Sequence, residues 1–160
     1  MVTGSDPLVG DNSNNAPVDG VQPRQTRRSL PIALLRARES VMAKFRPMLA
    51  KHDINEQQWR VIRILGEAGE MDASELADRA LVLAPSLTRM LKSLKTRKLI
   101  TLRKDKDDGR RTLISITPAA RQLIAEISPE SLQIYRDLEK SFGKEEMERL
   151  LDLLEAVSKA

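Results

Sequence analysis

The chain contains no cysteine and a single histidine, His52, among its 160 residues. Without cysteine it has no disulfide, no thiolate metal ligand and no thiol for redox sensing. One histidine alone does not supply a zinc site of the usual histidine type. The chain also lacks a glycine-rich phosphate loop and any metal-ligand spacing, which leaves an enzyme little chemistry to work with. We therefore expect a protein without metal or cofactor that is not an enzyme.

Aromatic residues and long apolar runs are also scarce. Aromatics make up 2% of the sequence, so a core must be built from Leu, Ile, Val, Ala and Met, which suits packing between helices. No apolar run reaches the roughly 18 residues that a membrane span needs. No charged-then-apolar signal segment opens the sequence. These absences favour a cytoplasmic protein with no membrane partner.

The first 28 residues differ in composition from the rest. They hold three of the eight prolines and three of the seven glycines, with few residues that a core would bury. This composition predicts a disordered tail over residues 1–28. Its basic end, Arg24–Arg28, fits either an arm that touches DNA or a soluble leader, and the composition favours the leader.

From Ser29 onwards the sequence is helical in pattern. Apolar residues at helical spacing predict a long first helix, which Pro47 should kink or end. Capping-box patterns at Asn55–Gln58 and Asp72–Glu75 predict the starts of a second helix, which runs through Leu65, and of a short third helix. Gly66 and Gly69 are expected to bracket the end of the second helix.

Two further helices are predicted at the end of the chain. Thr117 and Pro118 should cap and begin a fifth helix, which Pro129 should bend or interrupt. Gly143 precedes a last helix whose apolar stripe ends at Val157.

The most informative segment is a basic helix that begins near Pro85. On a helical wheel its apolar residues fall on one arc, and the other faces carry hydroxyls and cations without any carboxylate. A surface that approaches phosphates cannot carry carboxylates, and Ser, Thr and Arg can reach base edges in the major groove. The pattern predicts a DNA-recognition helix; the alternative is an ordinary basic surface helix. The apolar arc consists of Leu87, Met90, Leu91 and Leu94.

A basic hairpin follows this helix. Ile100–Arg103 and Thr112–Ile116 alternate in polarity and are rich in β-formers, and a charged turn joins them. The segment Arg89–Arg111 contains ten cations and three anions, whereas Glu126–Glu155 contains nine anions and four cations. Positive charge is therefore concentrated on the predicted helix and hairpin, as in a nucleic-acid-binding surface.

The order of elements predicts a mainly α (α+β) fold, a winged helix-turn-helix. Residues 55–117 would form the DNA-binding domain. Residues 29–54 and 118–160 would form a helical dimerisation region, because the N- and C-terminal helices must bury their apolar stripes and a two-fold interface is self-complementary. A homodimer would place two recognition helices about 34 Å apart on palindromic double-stranded DNA.

At the wing, Asp108-Gly-Arg110 followed by Ile116-Thr117 resembles the Asp-x-Arg and Leu-Thr signature of the multiple-antibiotic-resistance regulator (MarR) family, with Ile in place of Leu. Pro85–Arg89 is similar to the start of that family's recognition helix. The resemblance covers about residues 29–158. Within the family, a subgroup that regulates homoprotocatechuate degradation is similar at Ile32–Leu35, Phe45–Pro47, Glu56–Arg60, Val61–Leu65 and Met71–Asp72.

The resemblance implies a DNA-contacting set of residues. Ser86, Thr88 and Arg89 would meet bases or phosphates in the major groove. Arg110 would enter the minor groove from the wing tip, where a narrow groove attracts guanidinium groups. Asp108 would orient Arg110, or would be an ordinary turn residue before glycine. The remaining DNA-binding candidates are Lys92, Lys95 and Arg111.

The resemblance also implies an effector pocket between the dimer-forming helices and the winged domain. An aromatic carboxylate needs a flat apolar wall and a cationic fork. Trp59, the only tryptophan, would be the wall, and Ser29 would hold a ring hydroxyl. The alternative is that Trp59 is a plain core residue and the cations belong to the surface. The other candidate ligand-binding residues are Arg36, Arg46, His52 and Arg63.

These features predict a bacterial, nucleoid-associated transcriptional regulator. We expect a repressor of an aromatic-acid catabolic operon, released from a palindromic operator by a small aromatic carboxylate effector. The alternative is a constitutive architectural DNA-binding protein without an effector.

Overall fold

The computed structural model describes residues 29–160, and the tail predicted for residues 1–28 lies outside the described residues. The chain divides into two compact units, residues 1–38 and 39–160. The described elements are, in order, α1 (Leu30–Ala50), α2 (Glu56–Ala68), β1 (Met71–Asp72), α3 (Ala73–Ala80), α4 (Ala84–Thr96), β2 (Ile100–Lys104), β3 (Thr112–Ile116), α5 (Pro118–Phe142) and α6 (Lys144–Ser158). This order confirms the mainly helical fold with a wing.

Helix α1 is not ended by its internal proline. Pro47 removes one hydrogen bond, yet the helix continues to Ala50, and the backbone N–H of Lys51 donates to the Pro47 carbonyl at 3.3 Å. Met48 and Leu49 are buried directly after the proline. Burial of two large apolar side chains compensates for one lost hydrogen bond, so the expectation that Pro47 ends the helix is wrong.

Helix α2 begins as predicted and ends later than predicted. The Asn55 side chain accepts from the Gln58 backbone, and the Gln58 side chain accepts from the Asn55 backbone, which confirms the capping box. Gly66 lies inside the helix, and Gly69, with a φ of 84°, caps its end. A Cβ at position 66 would lie 3.0 Å from Ile124 Cδ1, so this glycine allows α2 and α5 to approach closely.

Helices α3 and α4 form the helix-turn-helix. The Asp72 side chain accepts from the Glu75 backbone N–H at 2.9 Å, as expected of an N-cap. Leu81, with a φ of 53° and a ψ of 48°, closes α3 in the left-handed conformation. Helix α4 starts at Ala84 with Pro85 in its first turn, where proline is tolerated.

The wing belongs to a three-stranded antiparallel sheet in the order β1-β3-β2. Ile100 pairs with Ile116 and Lys104 with Thr112, so the hairpin tip spans residues 105–111. Strand β1, in which Met71 pairs with Ile114, was not predicted. Two residues are too few to show an alternating pattern, and the pairing depends on the register of a distant strand.

The last two helices flank the winged domain. The Thr117 side chain caps α5, and Pro129 lies inside α5 without interrupting it, since Ile127 and Ser131 on either side are buried. Helix α6 buries none of its side chains against the described residues 29–160. Among the residues described, no helix combines the length and the apolar character that crossing a membrane requires.

Candidate nucleic-acid interface and adjoining cleft

Helix α4 presents the predicted cationic face to solvent. Its apolar arc is buried, which fixes the rotation of the helix about its axis. Thr88, Arg89, Lys92 and Lys95 are exposed as a consequence, and Ser86 is half-buried. The described face carries no carboxylate of its own, so nothing on α4 opposes the approach of a phosphate chain.

A groove of about 320 Å³ runs beside this face and was not predicted. Ser86 and Arg89 line it on one side, and the amide-bearing start of α2 lines the other with Asn55 and Gln57. Gln58 Nε2 also donates to Ser93 Oγ at 3.4 Å. The start of α2 therefore adds side chains that can donate and accept hydrogen bonds beside the recognition helix.

The end of the recognition helix is bonded to the turn between α1 and α2. The Arg97 guanidinium donates to the Asp53 carbonyl at 2.5 Å and to the His52 carbonyl at 3.1 Å. Through these bonds the turn holds the C-terminal end of α4.

At the wing tip, Arg110 is exposed and Asp108 shapes the turn. Asp108 Oδ1 accepts from the Arg110 backbone N–H at 3.0 Å, and its carbonyl accepts from the Arg111 N–H at 2.9 Å. The carboxylate thus bonds the backbone of Arg110. Asp108 positions Arg110 through the turn, which is the ordinary role of an Asp before glycine.

Two ion pairs attach the wing to the helix-turn-helix. Arg111 donates to Asp72 Oδ2 at 2.5 Å, so a residue predicted to bind DNA is bonded within the protein. Arg103 Nε donates to Glu70 Oε2 at 2.8 Å, and Ser115 Oγ donates to the same oxygen at 2.8 Å. Glu70 therefore connects the residue before β1 with both strands of the hairpin.

These bonds lower the pKa of both carboxyls. Hydrogen bonds from Arg103 and then from Ser115 lower the pKa of Glu70. The Glu75 backbone N–H, followed by Arg111, lowers the pKa of Asp72. Both groups therefore remain carboxylates, and both arginines remain paired, well below neutral pH.

A cleft of about 280 Å³ lies between α2 and α5, with the end of α1 beside it. Trp59 is half-buried in its wall, and the Arg63 guanidinium carbon lies 5.8 Å from the centroid of the Trp59 ring. Tyr135 also lines the cleft and packs against Phe45, with ring centroids 5.1 Å apart. The lining residues are Met42, Glu56, Trp59, Arg60, Arg63, Glu67, Ser131 and Tyr135.

The structure brings two of the six predicted ligand-binding residues, Trp59 and Arg63, into this lining. Arg46 lies next to it, bonded to Glu56 Oε1 at 2.5 Å and to Glu39 Oε2 at 2.6 Å, and these bonds raise its pKa. His52 lies outside the lining, in the turn after α1.

The other two candidates belong to the first compact unit. Ser29 precedes α1, and Arg36 is exposed on that helix.

Sequence reasoning missed the part of the lining that α5 contributes. Ser131 and Tyr135 are four residues apart, so they share one face of the helix. Tyr135 is the only tyrosine of the chain, and its helical spacing from a small polar residue was the available signal.

Comparison with known proteins matches this arrangement to one family. The sequence profile of the MarR family matches residues 52–111. The homoprotocatechuate degradative operon repressor of Escherichia coli is 42% identical over 127 residues, which are 79% of this chain and 86% of the relative. The regulator FarR of Neisseria gonorrhoeae is 39% identical over 138 residues, which are 86% of this chain and 94% of the relative.

A solved structure is similar over the same extent. The crystal structure of NadR in complex with 4-hydroxyphenylacetate superposes with a TM-score of 0.76 at 37% identity, covering 87% of this chain and 99% of NadR.

Proposed function

Because the chain belongs to the MarR family of transcriptional regulators, we propose that it represses an aromatic-acid catabolic operon and releases a palindromic operator when a small aromatic carboxylate binds. The observation that carries this proposal is the cleft in which the Arg63 guanidinium lies over Trp59. The relative from Escherichia coli is named for an aromatic-acid operon, and NadR was solved with 4-hydroxyphenylacetate. On this proposal the protein is not an enzyme.

The effector would lie flat against Trp59 with its carboxylate on Arg63. Tyr135, Ser131 and Glu56 supply hydrogen-bonding groups for a ring hydroxyl at the other end. A cleft with an aromatic wall and cations beside it suits a small aromatic acid.

The DNA side would use two homodimer-related copies of α4 and the wing. Ser86, Thr88 and Arg89 would read bases, Lys92 and Lys95 would meet phosphates, and Arg110 would enter the minor groove. Arg111 would act indirectly, since its ion pair with Asp72 holds the wing. The dimer would form through the exposed apolar side chains of α5 and α6: Leu132, Phe142, Leu150, Leu151, Leu153, Leu154 and Val157.

Helix α2 would couple the cleft to the DNA. It carries Trp59 and Arg63 in the cleft, and Gln58 at its start bonds Ser93 of the recognition helix. A shift of α2 on ligand binding would change the spacing of the two recognition helices. Allosteric coupling is typically about 1–3 kcal/mol, so release should be about 5- to 150-fold.

The proposal can be tested with an operator duplex that the protein itself selects from a pool of random DNA duplexes. A complex of the protein with that duplex should dissociate when phenylacetate, hydroxycinnamate or indole-acetate derivatives are titrated, and Trp59 fluorescence should change over the same concentrations. A constitutive architectural protein would enrich no DNA sequence, and none of the acids would dissociate it from DNA. That result would refute the proposal.

Arg110→Ala should weaken operator binding by about 1–3 kcal/mol, because a minor-groove guanidinium is lost. The melting temperature should hardly change, since an exposed wing-tip side chain leaves no cavity. A mobility-shift titration at fixed salt measures the loss. Equal affinity of variant and wild type would show that Arg110 does not contact DNA.

Arg89 and Lys95 should make different kinds of DNA contact, the first to bases and the second to phosphates. Arg89→Ala should reduce the preference for operator over random DNA, because it removes a base contact. Lys95→Ala should weaken both duplexes alike and flatten the salt dependence by about one unit of slope. Affinities of both variants for both duplexes across a salt series distinguish the two roles, which identical behaviour would contradict.

A further inference from the structure

Arg63, the cation proposed to bind the effector carboxylate, already binds the carboxylate of Glu67. Glu67 Oε1 accepts from Arg63 Nε at 3.1 Å and also from the Arg63 terminal nitrogen. One of the two edges by which the guanidinium can bind a carboxylate through two N–H groups, the edge formed by Nε and Nη2, is therefore occupied. The other cation of the lining, Arg60, donates to the Ala80 carbonyl at 2.7 Å.

We infer that Glu67 is an internal competitor that the effector carboxylate must displace from Arg63. The inference rests on the proposed function, since it concerns the same cleft. Displacement favours an anion over a neutral aromatic, because only a carboxylate replaces the bonds that Arg63 loses. Glu67 would thus lower the affinity of the cleft for acids, and it would not affect amides and esters, which do not displace it.

The ion pair between Arg63 and Glu67 can be broken at a small cost in free energy. The Arg63 and Glu67 side chains are 42% and 64% exposed, and an exposed pair four residues apart on a helix contributes little to stability. Glu67 can therefore rotate toward solvent at small cost, while Trp59 keeps the Arg63 guanidinium in place.

A second cleft offers a new partner for the displaced carboxylate. It holds about 350 Å³ and shares Arg63 and Glu67 with the first. Its far side carries Arg121 at the start of α5, which has no ion-pair partner among residues 29–160. Transfer of Glu67 from Arg63 to Arg121 would exchange an ion pair within α2 for one between α2 and α5.

Calorimetric titration with 4-hydroxyphenylacetate and 4-hydroxyphenylacetamide tests this inference. Glu67→Gln should bind the acid about two- to fivefold more tightly than wild type, which is the range expected from one exposed ion pair. Its affinity for the amide should not change. The matched control is Glu75→Gln, which breaks the exposed pair of Glu75 with Arg79 at 2.7 Å outside the cleft. The control should match wild type for both compounds.

Arg121→Gln completes the test as a double-mutant cycle. It should weaken acid binding in the wild-type background and have no effect in the Glu67→Gln background. Unchanged acid affinity in Glu67→Gln would overturn the inference and leave the proposed function intact. Absence of binding of the acid to both wild type and Glu67→Gln would also overturn it, and operator release by another aromatic acid would then separately decide the proposed function.

Discussion

Replacing Leu150 and Leu154 by glutamate should make the protein monomeric and lower operator affinity by about two to four orders of magnitude. Both leucines lie on α6, which buries no side chain in the part of the chain that the structure describes. In the proposed dimer each would bury apolar surface worth about 1.5–3 kcal/mol, and a carboxylate there would have to be desolvated. A monomer would hold one half-site at a time and lose the gain from bivalent binding.

Light scattering measures the first effect, since the wild type should weigh about twice 18.0 kDa. Mobility shift with the selected operator measures the second. Asp152→Lys is the control, because position 152 is exposed and lies two residues from both Leu150 and Leu154, on the opposite side of the helix. A monomeric double variant that binds the operator as tightly as the wild type would refute the dimer.

Arg63→Ala should lower the affinity for the aromatic acid by about 10- to 150-fold. A hydrogen bond to a charged group contributes about 1.5–3 kcal/mol, and the Arg63 guanidinium carbon lies 5.8 Å from the centroid of the Trp59 ring. Operator binding without ligand should survive, because Arg63 lies on neither α4 nor the wing. Calorimetry with the acid and mobility shift without it measure the two properties separately.

Lys51→Ala is the control for this variant. Lys51 is exposed in the turn after α1 and bonds Glu130 Oε1 at 2.7 Å outside the cleft lining, so its loss should change neither acid nor operator binding. Simultaneous loss of both activities in Arg63→Ala would mean that the residue supports the fold. A methyl ester that binds the wild type as well as the acid does would exclude a carboxylate anchor.

Features set by neighbouring residues were predictable from the sequence. The capping box at Asn55–Gln58 depends only on side chains three residues apart, and Thr117–Pro118 marks a helix start in the same local way. Pro47 and Pro129 end neither helix, because what compensates for a helix proline is not local in the sequence. The cost of Pro47 is local, whereas the burial of Met48 and Leu49 that compensates for it depends on the rest of the fold.

The candidate site likewise contains residues that local sequence predicts and residues that only the tertiary fold brings together. Trp59 and Arg63 are four residues apart on one helix, so residue type and spacing sufficed to suggest that they act together. Tyr135 reaches the cleft because α5 packs on α2, and its spacing from Ser131 shows a shared helix face but not which helix that face meets. The ion pair of Arg111 with Asp72 likewise requires the strand register that joins β3 to β1.

The glycine at position 66 makes the spacing between α2 and α5 adjustable by substitution. Because the backbone of α2 at this glycine packs directly against Ile124 of α5, each methyl group added at position 66 should push the two helices further apart. Alanine would add helix propensity while pressing on the flexible end of Ile124, and valine would press harder. On the proposed function, a series of substitutions at this position would give variants that release DNA at different effector concentrations. All of them would keep the same DNA-contacting residues and the same lining around Trp59.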